Sequence, residues 1–335
     1  MRIVLPPSVD EGLIALAREL LPAGHELIAA SSDEELVSTL PQADVLMGPS
    51  SRPLSAEALA VMGNLKLVQL WSAGYDAIDV PAMRRLRLPV ATNGGANAVG
   101  VAEHTVMLML AVYRDLATFD AHVKDGLWRR QVTGARNFYE LTGKTVGIVG
   151  LGIIGREVAK HLRGFEVRAL YHDVFRPDPA TELPLGVEYA PLAEMLAKAD
   201  VVTLHAPLTP QTHHLINRET LRAMKQTAIL INTARGGLVD HTALYEALKE
   251  NLIAGAGLDV TEPEPPPADF PLFTLPNVTL TPHVAGSTVE SWPRRLRNAY
   301  ANILRVAAGQ KPLWVIPELR GLLEPLSSSR SSEQC

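Results

Sequence analysis

One segment of this 335-residue chain limits its fold more than any other. Residues 144–155 read KTVGIVGLGIIG: an apolar strand runs straight into Gly150, Gly152 and Gly155, and a helical pattern, IIGREVAKHL, follows. Strand, GxGxxG turn and helix in that order are the opening of a βαβ unit that binds a dinucleotide. Gly150 suits the tight turn, Gly152 lets a pyrophosphate approach the backbone, and Gly155 lets helix and strand pack closely. The helix N-terminus, with Ile153 and Ile154 at its start, presents unpaired N–H groups to phosphate. The next strand ends at Asp173, 18 residues after Gly155. A carboxylate there accepts hydrogen bonds from a ribose 2′-OH and repels a 2′-phosphate. The pattern therefore predicts NAD (NADH) as cofactor, with NADP disfavoured by Asp173, although Arg176 close behind works against that preference.

The same alternation runs through the rest of the chain. Apolar runs at 2–5, 43–48, 65–71 and 89–92 predict strands, with an amphipathic helix over 11–21. A break rich in glycine and asparagine, NGGANAVG at 93–100, precedes the segment from Val101 to Tyr113, VAEHTVMLMLAVY. A helix that is apolar almost all round is buried in a core or in a subunit interface. From residue 144 a second series predicts six strands, at 146–149, 167–171, 201–204, 228–232, 256–260 and 278–281, with helices over 154–163, 192–199, 218–224 and 241–250. The class is α/β, with doubly wound parallel sheets.

Composition narrows the function classes. The length is more than twice the roughly 150 residues of one domain, so two are expected. With 47% apolar and 20% charged residues the chain is an ordinary packed globule. A net charge of −5 argues against a nucleic-acid reading, because a phosphate-binding surface normally shows as a basic excess. The longest apolar run, Val106 to Val112, is far short of the roughly 20 residues a membrane helix needs. The N-terminus, MRIVLPPSVDEG, does not read as a signal peptide. The one cysteine, Cys335, can form neither an internal disulfide nor a thiolate metal cluster. A cytoplasmic protein without membrane or nucleic-acid partners is expected, with a polar, disordered tail at 321–335.

Three polar residues sit just past predicted strand ends, where open α/β sheets place their ligands. Arg235 stands in INTARGG, Glu264 in DVTEPEP and His283 in TPHVAGS. A guanidinium fork suits a bidentate grip on a carboxylate. A histidine paired with a carboxylate suits proton transfer. Together they fit hydride transfer to a 2-oxo acid. Arg235 would hold the carboxylate and polarise the carbonyl. His283 would donate the proton, and Glu264 would orient its ring and favour the protonated form. Singly, each residue reads more readily as structural: a bonded histidine, a surface ion pair, a solvated glutamate. Their order downstream of a dinucleotide loop favours catalysis. No metal is expected, since His213 and His214 form no HxxxH or HExxH pattern. His104, inside the apolar helix, reads as a satisfied interface residue.

These motifs, GLGIIG, HAPLTPQTHHLIN, INTARGGLVD, GAGLDVTEPEP and TPHVAGST, resemble those of the NAD-dependent D-isomer specific 2-hydroxyacid dehydrogenases. The resemblance spans roughly residues 3–316. It implies catalytic roles for Arg235, Glu264 and His283. It implies cofactor contacts at Ile153, Ile154, Asp173, His205, Ala206, Pro207, Thr212, Thr233, Ala234, Arg235, Asp259, His283 and Gly286. It implies that Ala73, Gly74 and Tyr75, with Arg235 and His283, bind a small anionic 2-oxo or 2-hydroxy acid. It also implies that one domain is inserted into the other with a cleft at the hinge. A discontinuous, flavodoxin-like substrate domain would comprise 1–98 plus 287–320, and an NAD-binding Rossmann domain 99–286. A homodimer through helix 101–113 is implied as well.

Within the family the expected substrate is of the glyoxylate or hydroxypyruvate type. Ala73 stands where phosphite enzymes carry a lysine. Leu70, Gly48 and the lone Arg52 do not match the arginines of phosphoglycerate enzymes. A D-3-phosphoglycerate dehydrogenase-like activity and an NAD-sensing corepressor-type scaffold are the alternatives. Trp71, Tyr75, Trp128, Tyr139 and Trp292 read equally as pocket walls or as packing.

Overall fold

The computed structural model describes residues 1–7, 9–48, 53–128 and 137–323. Arg52 and residues 324–335 of the expected tail, Cys335 included, lie outside them. Residues 321–323 close a short 3-10 segment, Pro317–Leu323. The chain divides into two compact units: Met1–Asn97 with the segment from Thr288 onward, and Ala98–Ser287.

The first unit holds five parallel strands: β1 (Arg2–Leu5), β2 (Glu26–Ala29), β3 (Val45–Gly48), β4 (Leu67–Leu70) and β5 (Val90–Ala91). Their order is β2-β1-β3-β4-β5. β3 and β4 are buried throughout, which is why they read as unbroken apolar runs. β2 was not predicted. It is an edge strand of four half-exposed residues, ELIA, too short and too mixed to show periodicity.

The C-terminal helix Ser291–Ala307 buries Leu296, Ala299, Tyr300 and Ile303 in the core of this same unit. Polar bonds fix its register. The Tyr300 hydroxyl donates to the Ala17 carbonyl at 2.5 Å. Buried Asn302 donates to Gln69 Oε1 at 2.8 Å and to the Leu313 carbonyl at 2.9 Å, and accepts from the Leu313 N–H at 2.7 Å. Gln69, equally buried, donates in turn to the Leu70 and Thr92 carbonyls. Trp71 is buried and meets Trp292 edge-on at 6.0 Å, so both serve as packing within this unit.

The second unit holds seven parallel strands: β6 (Thr145–Val149), β7 (Arg168–His172), β8 (Val187–Tyr189), β9 (Val201–Leu204), β10 (Ile229–Asn232), β11 (Gly255–Leu258) and β12 (Val278–Leu280). Their order is β12-β11-β10-β9-β6-β7-β8. The six predicted strands are present. The seventh, β8, is three residues at the edge beside β7, below the length at which a pattern can be read. The strand order reverses at β6, so the glycine loop that follows it lies at the topological switch point, where doubly wound sheets bind ligands.

The apolar helix, Ala98–Tyr113, owes most of its character to this sheet. Ten of its residues are buried. Val112 and Leu108 fill the space above Gly255 and Gly257 of β11. On its other side Glu103, Met107, Leu110 and Arg114, with Leu116 and Phe165, line an apolar concavity of about 510 Å³.

Replacing Asn302 by Leu would leave Gln69 Oε1 and both Leu313 backbone groups without their partner. At about 1–3 kcal/mol for each buried group left unpaired, the expected loss is several kcal/mol, read as a fall in the midpoint of urea unfolding. An unchanged midpoint would show that the helix is not held by this network.

Candidate active site

The glycine loop has the shape its sequence demands. Gly150 has φ +92°, and a Cβ there would lie 2.8 Å from the His205 carbonyl. A Cβ on Gly155 would lie 2.1 Å from the Gly150 carbonyl oxygen, so the helix can start here only without a side chain. Above Gly152 there is nothing within 4 Å. The helix Ile153–Leu162 begins with no side-chain cap, and Ile153 is 59% exposed beside the loop. Uncapped N–H groups and open space over the middle glycine are what a pyrophosphate requires, so the residues fit a bound dinucleotide. Asp173 follows β7 directly. Its Oδ2 accepts from the Leu151 N–H at 2.7 Å and its Oδ1 from the Phe175 N–H at 2.9 Å. Arg176 is drawn the other way: it pairs with Glu182 at 2.9 Å and lies over the Tyr189 ring.

On the other side of the switch point, His205 directly follows β9. Burial pushes this imidazole down to about 3, so it stays neutral, with Nε2 2.9 Å from the Thr203 hydroxyl. Ala206 and Pro207 follow. Thr212 closes the loop by donating to the Pro207 carbonyl at 2.7 Å while accepting from the Thr209 N–H.

Arg235, Glu264 and His283 follow three neighbouring strands, β10, β11 and β12. After β10, buried Asn232 shapes the turn by accepting from the Ala234 N–H and donating to the Arg235 carbonyl. Thr233 bonds to Thr105 at 2.9 Å. Arg235 Nη1 donates to the Ala234 carbonyl at 2.6 Å, which bends the guanidinium back over its own loop. A Cβ on Gly236 would lie 2.0 Å from the Thr261 carbonyl oxygen. The Arg235 turn therefore abuts the loop that carries Glu264. His283 Nδ1 lies 2.6 Å from Glu264 Oε1, with both side chains solvent-accessible.

Asp259 is what aims His283. It is 1% exposed. Its carboxylate accepts from the Thr281 hydroxyl at 2.5 Å, the Val284 N–H at 3.0 Å and the Ala285 N–H at 2.9 Å, and its carbonyl accepts from the His283 N–H at 2.7 Å. His283 is thereby held at φ +54°, a left-handed conformation costly for a residue with a Cβ. His104 joins the network through Thr281 at 2.9 Å and lies 3.5 Å from Asp259. Burial lowers its basicity, against the pull of Asp259. His104 is thus satisfied inside its own unit. Asn232, Thr105 and the link from His104 to Thr281 have no local sequence signal, because each joins residues far apart in the chain. Gly286 completes the turn after Ala285.

In the first unit, Ala73, Gly74 and Tyr75 form the loop after β4. The Ser72 hydroxyl donates to the Gly74 carbonyl at 2.7 Å. The Tyr75 hydroxyl donates to Glu318, and burial together with that carboxylate pushes it up to about 12. Trp128 is 70% exposed, and Tyr139 packs on Tyr113 at 5.4 Å.

Comparison with known proteins agrees with this architecture. Residues 106–285 match the family described as D-isomer specific 2-hydroxyacid dehydrogenase, NAD binding domain. A glyoxylate reductase of Thermofilum pendens is 42% identical over 287 residues, covering 84% of this chain and 83% of that protein. A D-3-phosphoglycerate dehydrogenase of Archaeoglobus fulgidus is 39% identical over 86% of this chain but 54% of its own length. The crystal structure of an NADPH-dependent glyoxylate/hydroxypyruvate reductase from Sinorhizobium meliloti, in complex with NADP and malonate, superposes with a TM-score of 0.81 at 27% identity, covering 95% of this chain and 97% of that one.

Gly155→Ala should weaken NADH binding at least tenfold, read by nucleotide fluorescence, because the new methyl group must displace the Gly150 carbonyl. Wild-type affinity would show that the loop tolerates a shift that the geometry forbids.

Proposed function

We propose that this chain, which belongs to the D-isomer specific 2-hydroxyacid dehydrogenase family, reduces glyoxylate- or hydroxypyruvate-type 2-oxo acids to D-2-hydroxy acids with NADH. Membership makes it an oxidoreductase with an NAD-binding domain. The observation that carries the finer reading is the 2.6 Å contact between His283 and Glu264, set on strand ends beside Arg235. The glyoxylate reductase likeness supports the substrate class.

Bound NADH would supply the hydride to the substrate carbonyl carbon. Arg235 would pair with the substrate carboxylate and draw electron density from the carbonyl. With Glu264 accepting from Nδ1–H, the opposite nitrogen, Nε2, is the atom from which His283 would pass its proton to the carbonyl oxygen. In the reverse direction the same nitrogen would take the proton from the hydroxyl. We extend the proposal to Ala73, Gly74 and Tyr75 as contacts of the substrate's carboxylate end. For the nucleotide, Asp173 favours the free 2′-hydroxyl and Arg176 is engaged by Glu182, so NADH is proposed over NADPH. This differs from the NADP found in the Sinorhizobium meliloti structure. The likeness to a phosphoglycerate dehydrogenase keeps 3-phosphoglycerate as the second reading.

Two measurements test this. In an NADH oxidation assay across glyoxylate, hydroxypyruvate and 3-phosphohydroxypyruvate, the first two should be reduced fastest. Arg235→Ala and His283→Asn should each lower kcat/KM by about 10²–10⁴-fold while NADH affinity changes little. Preference for the phosphorylated acid would move the assignment to the second reading, and full turnover in either variant would refute the roles given.

We also propose that the exposed side of helix Ala98–Tyr113 pairs with a second copy. Its Met107 is 43% exposed above an apolar concavity. Light scattering should then give a dimer for the wild type and a monomer for Met107→Glu. A wild-type monomer would leave this face without that role.

A further inference from the structure

The turn after Pro207 and the loop after β11 bring together three side chains that the proposed reaction does not use. His213 and His214 are adjacent, and their rings stack with centroids 3.9 Å apart and planes 23° from parallel. Glu262 comes from a loop 48 residues beyond His214. Its Oε2 lies 3.6 Å from His213 Nε2 and 3.6 Å from His214 Nε2. All three ligand-type atoms fall within 4.8 Å of one another.

Both separations exceed hydrogen-bond range, and a charge-assisted N–H···O bond would be about 2.7–2.9 Å. They are close to a different spacing. Ligands about 2.0–2.1 Å from a tetrahedral zinc ion lie about 3.3–3.4 Å from each other. The backbone beneath the three side chains is in place before any ion arrives, and the two stacked rings have to turn so that their in-plane Nε2 lone pairs converge on it. The His214 N–H donates to the Gly237 carbonyl at 2.8 Å, and its carbonyl accepts from Asn217 at 3.1 Å. The His213 N–H donates to the Thr209 carbonyl at 2.9 Å. Glu262 Oε1 rests against Gly237, where a Cβ would come within 2.9 Å, so Oε2 is the oxygen turned to the imidazoles. All three side chains are between 41% and 49% exposed, leaving a route for an ion and room for water at a fourth position.

We propose that His213, His214 and Glu262 form a binding site for a divalent transition ion of the zinc type. Two imidazoles and one carboxylate suit Zn²⁺, Co²⁺ or Ni²⁺ over Mg²⁺ or Ca²⁺, which prefer all-oxygen shells. The sequence hides the site because adjacent histidines lack metal spacing and the third ligand is remote. An ion here would clasp the 207–214 turn to the loop that also carries Glu264, two residues on from Glu262.

The test uses tag-free full-length protein, stripped with a chelator and titrated with Co²⁺ and Zn²⁺. We expect one equivalent to bind per chain, with Co²⁺ giving the visible absorption of a four-coordinate ion. His213→Ala and Glu262→Gln should each weaken binding at least tenfold, and His213→Ala should keep its NADH-dependent turnover and its unfolding temperature in the absence of metal. No binding by the wild type would overturn the proposal. So would equal affinity in the wild type and His213→Ala, which would place the ion elsewhere.

Discussion

A single buried carboxylate governs the geometry at the ends of β11 and β12. Asp259 takes hydrogen bonds from the backbone at Val284 and Ala285 and from the hydroxyl of Thr281, and its own carbonyl takes the His283 N–H. A carboxylate this deep is tolerable only when its lone pairs are occupied. Occupying them forces the chain into one path, with His283 at a positive φ and its ring turned to Glu264. The helix Ala98–Tyr113 supplies His104 to the same cluster. Thus the segment that packs most intimately on the sheet also braces the loop that carries the proposed acid.

The neighbouring loops obey a second constraint, that of contact without side chains. Gly150 lies against the His205 backbone, Gly155 against Gly150, and Gly236 against Thr261. Each contact joins consecutive elements around the switch point at a distance that no Cβ allows. The nucleotide loop is therefore fixed against the loop after β9, and the arginine turn against the loop that carries Glu264, by backbone approach, before any flexible side chain is considered. Positioning of this kind is what catalysis by orientation and electrostatics needs.

The legible parts of the chain were those whose cause is local. The glycine loop announces itself through strand, spacing and helix within a dozen residues, and central strands such as β9 and β10 do so through continuous burial. Arg235, Glu264 and His283 could be named because each follows a strand that could itself be read. What escaped was set by distant partners. β2 and β8 are edge strands of four and three residues, too short for a period to be read. The bond between His104 and Thr281 spans 177 residues. The meeting of Glu262 with two adjacent histidines depends on how two loops fold over Gly237. The apolar helix was ambiguous for a sound reason: it packs on β11 with one side and leaves an apolar concavity on the other.

The central claim is that His283, held by Glu264, moves the proton while hydride is transferred. Chemical rescue tests it most directly. Turnover of hydroxypyruvate with NADH should be lost in His283→Ala, and added imidazole should restore it in proportion to its concentration, with no such gain in Arg235→Ala. Wild-type turnover by His283→Ala without imidazole would contradict the account.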